Sequence, residues 1–282
     1  MKNMIENNGL KCSLTTYYNI FSKNVLIDDL YLTLKLRKLY DIAHLDTSLE
    51  LDKKFSPMLS NIYVCSENDK LKCEKIGLKV KGVVPRPINP AFFHYDFLDP
   101  KKKIYDCIVI GAYRIPDRKN IYYACKIIEG LKLKSVGITN YNFNFTVKHK
   151  FGSVNDRFKA YLIRNSKILL FLSGCEGFGL PPMEASALYT IPILLDIPPL
   201  NQCHHGVFVK PLNHKIMEFN LAYLKVKEKI YFPNIKDCKE KVSEILNMGK
   251  EEYYNLAIKC REKALENQRQ FNYFLNKTIL SI

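Results

Sequence analysis

Tryptophan is absent from the 282-residue chain, and no apolar run approaches the ~18–20 residues that a membrane-spanning helix needs. The first ten residues, Met1 to Leu10, mix Lys, Glu and Asn without an apolar core, so they do not read as a secretory signal. The nine cysteines are scattered, with no Cys-x-x-Cys pair and no Cys/His ligand spacing. A structural zinc site and a disulfide framework are therefore not expected, and a reducing, cytoplasmic setting is. Acidic residues are few: 28 Asp and Glu stand against 43 Lys and Arg, a formal charge of +15. Such a surplus suits an anionic partner, whether a phosphorylated small molecule, an acidic membrane face or nucleic acid. No RNA- or DNA-binding motif appears, so nucleic acid is the least favoured of the three. Internal repeats and low-complexity tracts are also missing.

What is present is a chain 47% hydrophobic, enough to bury a core and long enough for two modest α/β domains. Val25 to Leu39 has apolar positions at helical spacing and reads as a helix. Ile62 to Cys65 reads as a strand, followed by Ser66 as an N-cap and a polar helix ending at Gly77. Lys79 to Val84 is a further strand, and the proline-rich, charged stretch at 85–103 reads as a linker. Beyond it the pattern is regular. Strands are expected at Ile104–Tyr113, Lys134–Thr139, Lys167–Leu172, Pro192–Asp196 and Gly206–Val209. Helices are expected at Asn120–Leu133, Asp156–Asn165 and Pro182–Leu188, and three more helical stretches between Val209 and Ile282. Strand and helix alternating in this way imply a parallel, doubly wound sheet, with ligands at the carboxyl ends of its strands.

The loop after the Lys167–Leu172 strand is the most informative segment. It reads Ser173-Gly-Cys-Glu-Gly-Phe-Gly-Leu-Pro-Pro-Met-Glu-Ala, from a buried strand into a helix. Gly177 and Gly179 let the backbone approach a ligand, and Pro181 and Pro182 suit a first helical turn. The free amides there favour a phosphate. Glu176 and Glu184 flank this anion site as acceptors for sugar hydroxyls, so a sugar joined to a phosphate is the natural ligand.

With Glu176-Gly177-Phe178-Gly179-Leu180-Pro181 and Glu184-Ala185, the chain resembles the retaining glycosyltransferases of family 4, whose signature is E-G-F-G-L-P-x-x-E-A. Asp196-Ile197-Pro198, Cys65-Ser66-Glu67 and Val84 to Asn89 agree with that family too, as does a C-terminal helix bearing Phe271. The resemblance covers roughly Asn61 to the end. It implies an α/β fold of the GT-B type, with a complete Rossmann-like donor domain at 104–260, a reduced N-terminal acceptor-side region at 1–84, and a helix at 261–282 that crosses back to it. It implies catalytic roles for Glu176, Lys119 and Arg114. Donor-binding roles fall to Glu184, Gly177, Phe178, Gly179, Leu180, Pro181, Gly111 and Arg118, and an acceptor-side role to His44. No metal and no resident cofactor are implied; the nucleotide-diphosphate sugar is a substrate.

Several positions depart from the family. Ala112 stands where an Arg is usual, and Arg114, two residues further on, is read as its substitute, since a two-residue shift along a strand keeps the same face. Asn120 and Tyr189 each replace a Gly, and Gln202 replaces an acidic residue. His204-His205 offer too few ligands for a metal. The short N-terminal half leaves the acceptor open (glycan, lipid-linked or protein) and invites completion by a second chain or a homo-oligomer. The basic surplus adds an expected peripheral contact with an anionic membrane face. The competing reading is a non-catalytic nucleotide-sugar or polyanion-binding protein of the same descent.

Overall fold

The computed structural model describes residues 26–27, 42–45, 62–75, 77–221 and 224–277. The chain divides into two compact units, residues 1–89 with 267–282, and residues 90–266.

The first unit holds a four-stranded parallel sheet in the order β1 (Leu26–Ile27), β2 (Ile42–Leu45), β3 (Ile62–Val64), β4 (Val80–Val83). Leu26 and Ile27 are thus extended, paired with Ile42 and Ala43, in place of the helix expected from Val25 to Leu39. The rest of that stretch lies outside the described residues. Helix α1 (Glu67–Lys75) follows β3 as its cap dictates. The Ser66 hydroxyl accepts from the Asp69 amide at 3.1 Å and donates to the Asp69 carboxylate at 2.9 Å, which satisfies an orphan donor of the first turn. Ile62, Val64, Cys73 and Leu78 form the small core, joined by Val80 and Val83. The end of the last helix belongs to this unit: Gln268 accepts from the Ile88 amide at 3.1 Å, and Phe274 lies against Tyr63 with ring centroids 4.6 Å apart.

The second unit is built on a six-stranded sheet, all parallel, in the order β10-β9-β8-β5-β6-β7. Its strands are β5 (Tyr105–Ile110), β6 (Ser135–Ile138), β7 (Val147–His149), β8 (Ser166–Phe171), β9 (Ile191–Leu195) and β10 (Val207–Val209). The inner strands are nearly continuous apolar runs because both of their faces are covered; every residue of β9 is buried. The helices are α2 (Ile121–Leu131), α3 (Asp156–Arg164), α4 (Leu180–Ala187), α5 (Leu200–Cys203), α6 (Ile235–Asn247) and α7 (Lys250–Leu275). Helix α2 packs on α6, and α3 on α4. Asn155 caps α3 by accepting from the Phe158 amide at 2.9 Å, and Asn234 caps α6 through the amides of Lys236 and Asp237.

Two features differ from the sequence expectation. Strand β7 has no counterpart in it. After β10 the chain forms an antiparallel hairpin, β11 (Pro211–Leu221) and β12 (Leu224–Pro233), in place of the expected helix. Among the described residues two helices, not three, follow it. The stretch read as a linker carries two 3₁₀ turns, Pro90–His94 and Pro100–Lys102.

Lys103, just past the second of these turns, is buried. Its ammonium donates to the carbonyls of Arg164, Ser166 and Tyr189 at 2.9–3.1 Å, and contacts the Thr190 hydroxyl at 3.2 Å. It thereby ties the end of α3 and the start of β8 to the α4–β9 turn. Burial, with the Arg164 charge nearby, pulls its pKa down to about 7, and the ring of oxygens is what retains the ammonium there. Lys103→Met is expected to strand these acceptors and cost about 1–3 kcal/mol, read as a lower urea midpoint with the sheet's circular dichroism preserved. An unchanged midpoint would show the tie to be dispensable.

Candidate functional site

Strand β5 has β6 on one side and β8 on the other, so the chain turns in opposite directions from its two edges. The carboxyl ends of β5 and β8 meet at this switch point, the place where open parallel sheets bind ligands. The loop after β5 brings Lys119 to it, and the loop after β8 brings Glu176. The Lys119 ammonium is ion-paired and hydrogen-bonded to Oε1 of Glu176, and both side chains are mostly shielded, 18% and 10% exposed. The lysine also lies 5.5 Å from the Phe171 ring centroid, an additional attraction for the cation. Gly111 opens the first loop without a side chain; a methyl group there would stand 3.2 Å from the end of Ile121, tighter than ordinary packing.

The second half of the site is the turn into α4. Gly179 has φ +86°, a left-handed conformation that favours glycine, and Pro181 and Pro182 follow in the first turn. Among the described residues no hydrogen bond takes the amides of Gly177, Phe178 or Gly179. Phe178 is fully buried, and its carbonyl receives the His204 Nε2 at 2.7 Å. Burial holds His204 down to a pKa of about 4, so a neutral imidazole donates here.

Glu184 is buried inside α4 and paired with Lys159 of α3 at 2.7 Å. Burial raises its carboxyl above the usual range, and the Lys159 ammonium opposes that rise. Lys159 also reaches Asp156 at 3.3 Å and lies 5.4 Å from the centroid of the Phe92 ring.

The two glycine replacements keep the backbone of a glycine. Asn120 has φ 53° and Tyr189 φ 56°. Tyr189 is held by the Arg261 guanidinium 4.5 Å from its ring centroid, and its carbonyl accepts from Lys103 and Tyr253. Asn120 is fully buried and donates from Nδ2 to the carbonyls of Leu172 and Tyr231, both at 2.8 Å.

The other expected residues fall less centrally. Strand β5 ends at Ile110, so the same-face argument for Arg114 does not hold: it sits in the irregular loop beyond and is exposed. Arg118 is half-buried, and its carbonyl receives the Gly174 amide at 2.9 Å. Leu180 and Pro181 are half-buried at the head of α4. His44 is on β2, in register with Tyr63, and thus belongs to the first unit. Sequence reasoning passes over Lys159, His204 and the Tyr231 backbone as parts of the site. Of the residues that complete it, Asn120 alone stands out in the sequence, as a departure from glycine.

No protein-family profile matches the chain. A protein of Sulfolobus islandicus filamentous virus (isolate Iceland/Hveragerdi), provisionally named glycosyltransferase 41, is 29% identical over 256 residues, 88% of this chain and 74% of the relative. Two further viral relatives are matched over only 60% and 56% of their own length. Among solved structures, Anabaena HepE in complex with UDP and glucose has a TM-score of 0.60 at 8% identity, covering 89% of this chain and 81% of HepE. A trehalose-6-phosphate synthase studied for glycosyl transfer with retention has a TM-score of 0.61 at 11% identity, covering 91% of this chain and 74% of the synthase. At such identities the structural likeness is one of fold. The chain thus has the GT-B fold of these glycosyltransferases, and its sequence is similar to viral proteins provisionally named glycosyltransferases.

Proposed function

We propose that the chain moves a sugar from a nucleotide-diphosphate sugar to an acceptor hydroxyl, with retention at the anomeric carbon. The observation that carries this is the meeting of Lys119 and Glu176 at the switch point, beside the open amides of the 177–179 turn. A diphosphate leaving group gathers negative charge as the glycosidic bond breaks. Lys119 and the amides meet that charge with groups already in place, and such preorganised donors supply much of the rate enhancement of many enzymes. Glu176, next to the lysine, accepts from donor-sugar hydroxyls, and Glu184 accepts from the ribose. Arg114 and Arg118 supply further positive charge from the same loop. The UDP bound to HepE and the retention studied for the synthase support the donor class and the stereochemistry.

The acceptor is a glycan, a lipid-linked sugar or a protein. No helix among the described residues is long and apolar enough to cross a membrane. Contact with a lipid-linked acceptor would draw on the basic surface of a chain with formal charge +15. The non-catalytic reading draws on Ala112 and on the exposed position of Arg114; release of UDP and transfer of sugar by the purified chain would exclude it.

The two glutamates are expected to separate in their effects. Glu184→Gln should weaken UDP and the intact donor alike by one to two decades, and lower stability as well because Lys159 loses its main partner. Glu176→Gln should leave UDP affinity within about threefold and cut turnover by one to two decades, the usual weight of one charge-assisted hydrogen bond. Lys119→Ala should damage both quantities, since it meets the diphosphate before and during transfer. Calorimetry with UDP and a transfer assay with UDP-sugars check all three. Variants that bind and turn over like the parent would reduce the motif to a structural turn.

A further inference from the structure

We infer that the β11–β12 hairpin is a strut that holds the Glu176 loop in register with Lys119, and that Asn120 is the positioning residue of this device. The hairpin meets the site through its base. The Tyr231 amide donates to the Gly174 carbonyl at 3.0 Å, and the Gly174 amide donates to the Arg118 carbonyl at 2.9 Å. Asn120 closes the circuit by donating to Tyr231 on the hairpin and to Leu172 at the end of the β8 segment. Both neighbours are carbonyl oxygens, so only the amide nitrogen can face them. A second tie runs from the Cys175 thiol to the buried Glu228 carboxylate of β12, 3.3 Å apart. Lys119 immediately precedes Asn120, and Glu176 stands two residues beyond Gly174. Each end of the ion pair is therefore anchored within two residues of the circuit.

Local costs oppose this arrangement, which is why it reads as a device rather than a by-product. Asn120 holds a left-handed backbone that side chains rarely adopt, and its Oδ1 is buried with no hydrogen-bond partner among the described residues. The two bonds from Nδ2 offset those costs. Gly174 is equally constrained: a methyl group there would collide with the Tyr231 carbonyl and crowd Asn120 Nδ2. A two-stranded hairpin alone is marginal in water, so these ties order its base as much as it orders the loop.

Asn120→Gly tests the device cleanly, because glycine accepts the left-handed backbone and only the two side-chain bonds are lost. The full chain is followed by hydrogen exchange and, since the functional arm rests on the glycosyltransferase reading, by transfer from a UDP-sugar. Exchange at the Gly174 and Tyr231 amides is expected to rise about tenfold or more while β5 and β8 stay protected. Turnover should fall about tenfold to a hundredfold with donor KM within about threefold, the mark of misplaced catalytic groups rather than lost binding. Gly174→Ala should reproduce both effects, and Ile216→Ser, exposed on β11, should produce neither. Unchanged exchange at both amides would overturn the strut, as would exchange rising evenly through the sheet. Faster local exchange with unchanged turnover would overturn the positioning role. If the parent transfers no sugar but shows the local exchange pattern, the strut stands and the glycosyltransferase reading fails.

Discussion

Strand β5 is paired with β8 on one edge and β6 on the other, and the chain returns to it from both directions. Its carboxyl end is therefore the topological switch point of the sheet, where two outgoing loops diverge and where sheets of this kind bind ligands. That constraint brings residues 57 positions apart into one ion pair, Lys119 with Glu176. It also explains why the first of these loops carries Gly111 and the second Gly174: both must pass close to neighbouring backbone and side chains at the crowded switch point.

The basic surplus is used partly inside the molecule. Lys103 binds three carbonyls across the ends of three elements, Lys159 neutralises the buried Glu184, and Lys119 neutralises Glu176. A buried carboxylate without such a partner would take up a proton instead of staying charged. Each acidic residue of the motif thus has its own cation. In the proposed reaction an incoming diphosphate would compete for Lys119, while hydroxyls of the sugar would take over Glu176. The pairing that keeps the site together also sets up the exchange that a donor would make.

Two positions show how backbone demand outlives residue identity. Asn120 and Tyr189, the two positions that the motif resemblance sets against glycine, both have φ near +55°. The conformation is required by the turns on either side, and each side chain finds its own compensation: two carbonyl acceptors for Asn120, an Arg261 guanidinium for Tyr189. The hairpin that receives Asn120 is in effect the other half of that compensation.

The sequence by itself determined the parallel α/β architecture of the second unit, the strand-loop-helix that carries Glu176 and Glu184, and the cap of α1 by Ser66. These rest on local patterns: apolar runs long enough for strands, helical periodicity, glycines and prolines at a turn, a serine three residues before an acid. Tertiary structure alone decided the partners. Lys159 meets Glu184 because α3 packs on α4, and His204 meets Phe178 because the segment after β9 folds back on the motif loop. The extent of β5, which ends at Ile110, also leaves Arg114 in the loop beyond, where alternation along a strand no longer aims its side chain. The hairpin lay between these cases. Lys225, Lys227 and Lys229 alternate with Val226 and Ile230 as a strand requires, but no Asn-Gly or Asp-Gly in this part of the sequence announces a tight hairpin. Its docking on Gly174 and Asn120 depends on contacts more than a hundred residues apart from Asn120 in sequence, which no local periodicity encodes.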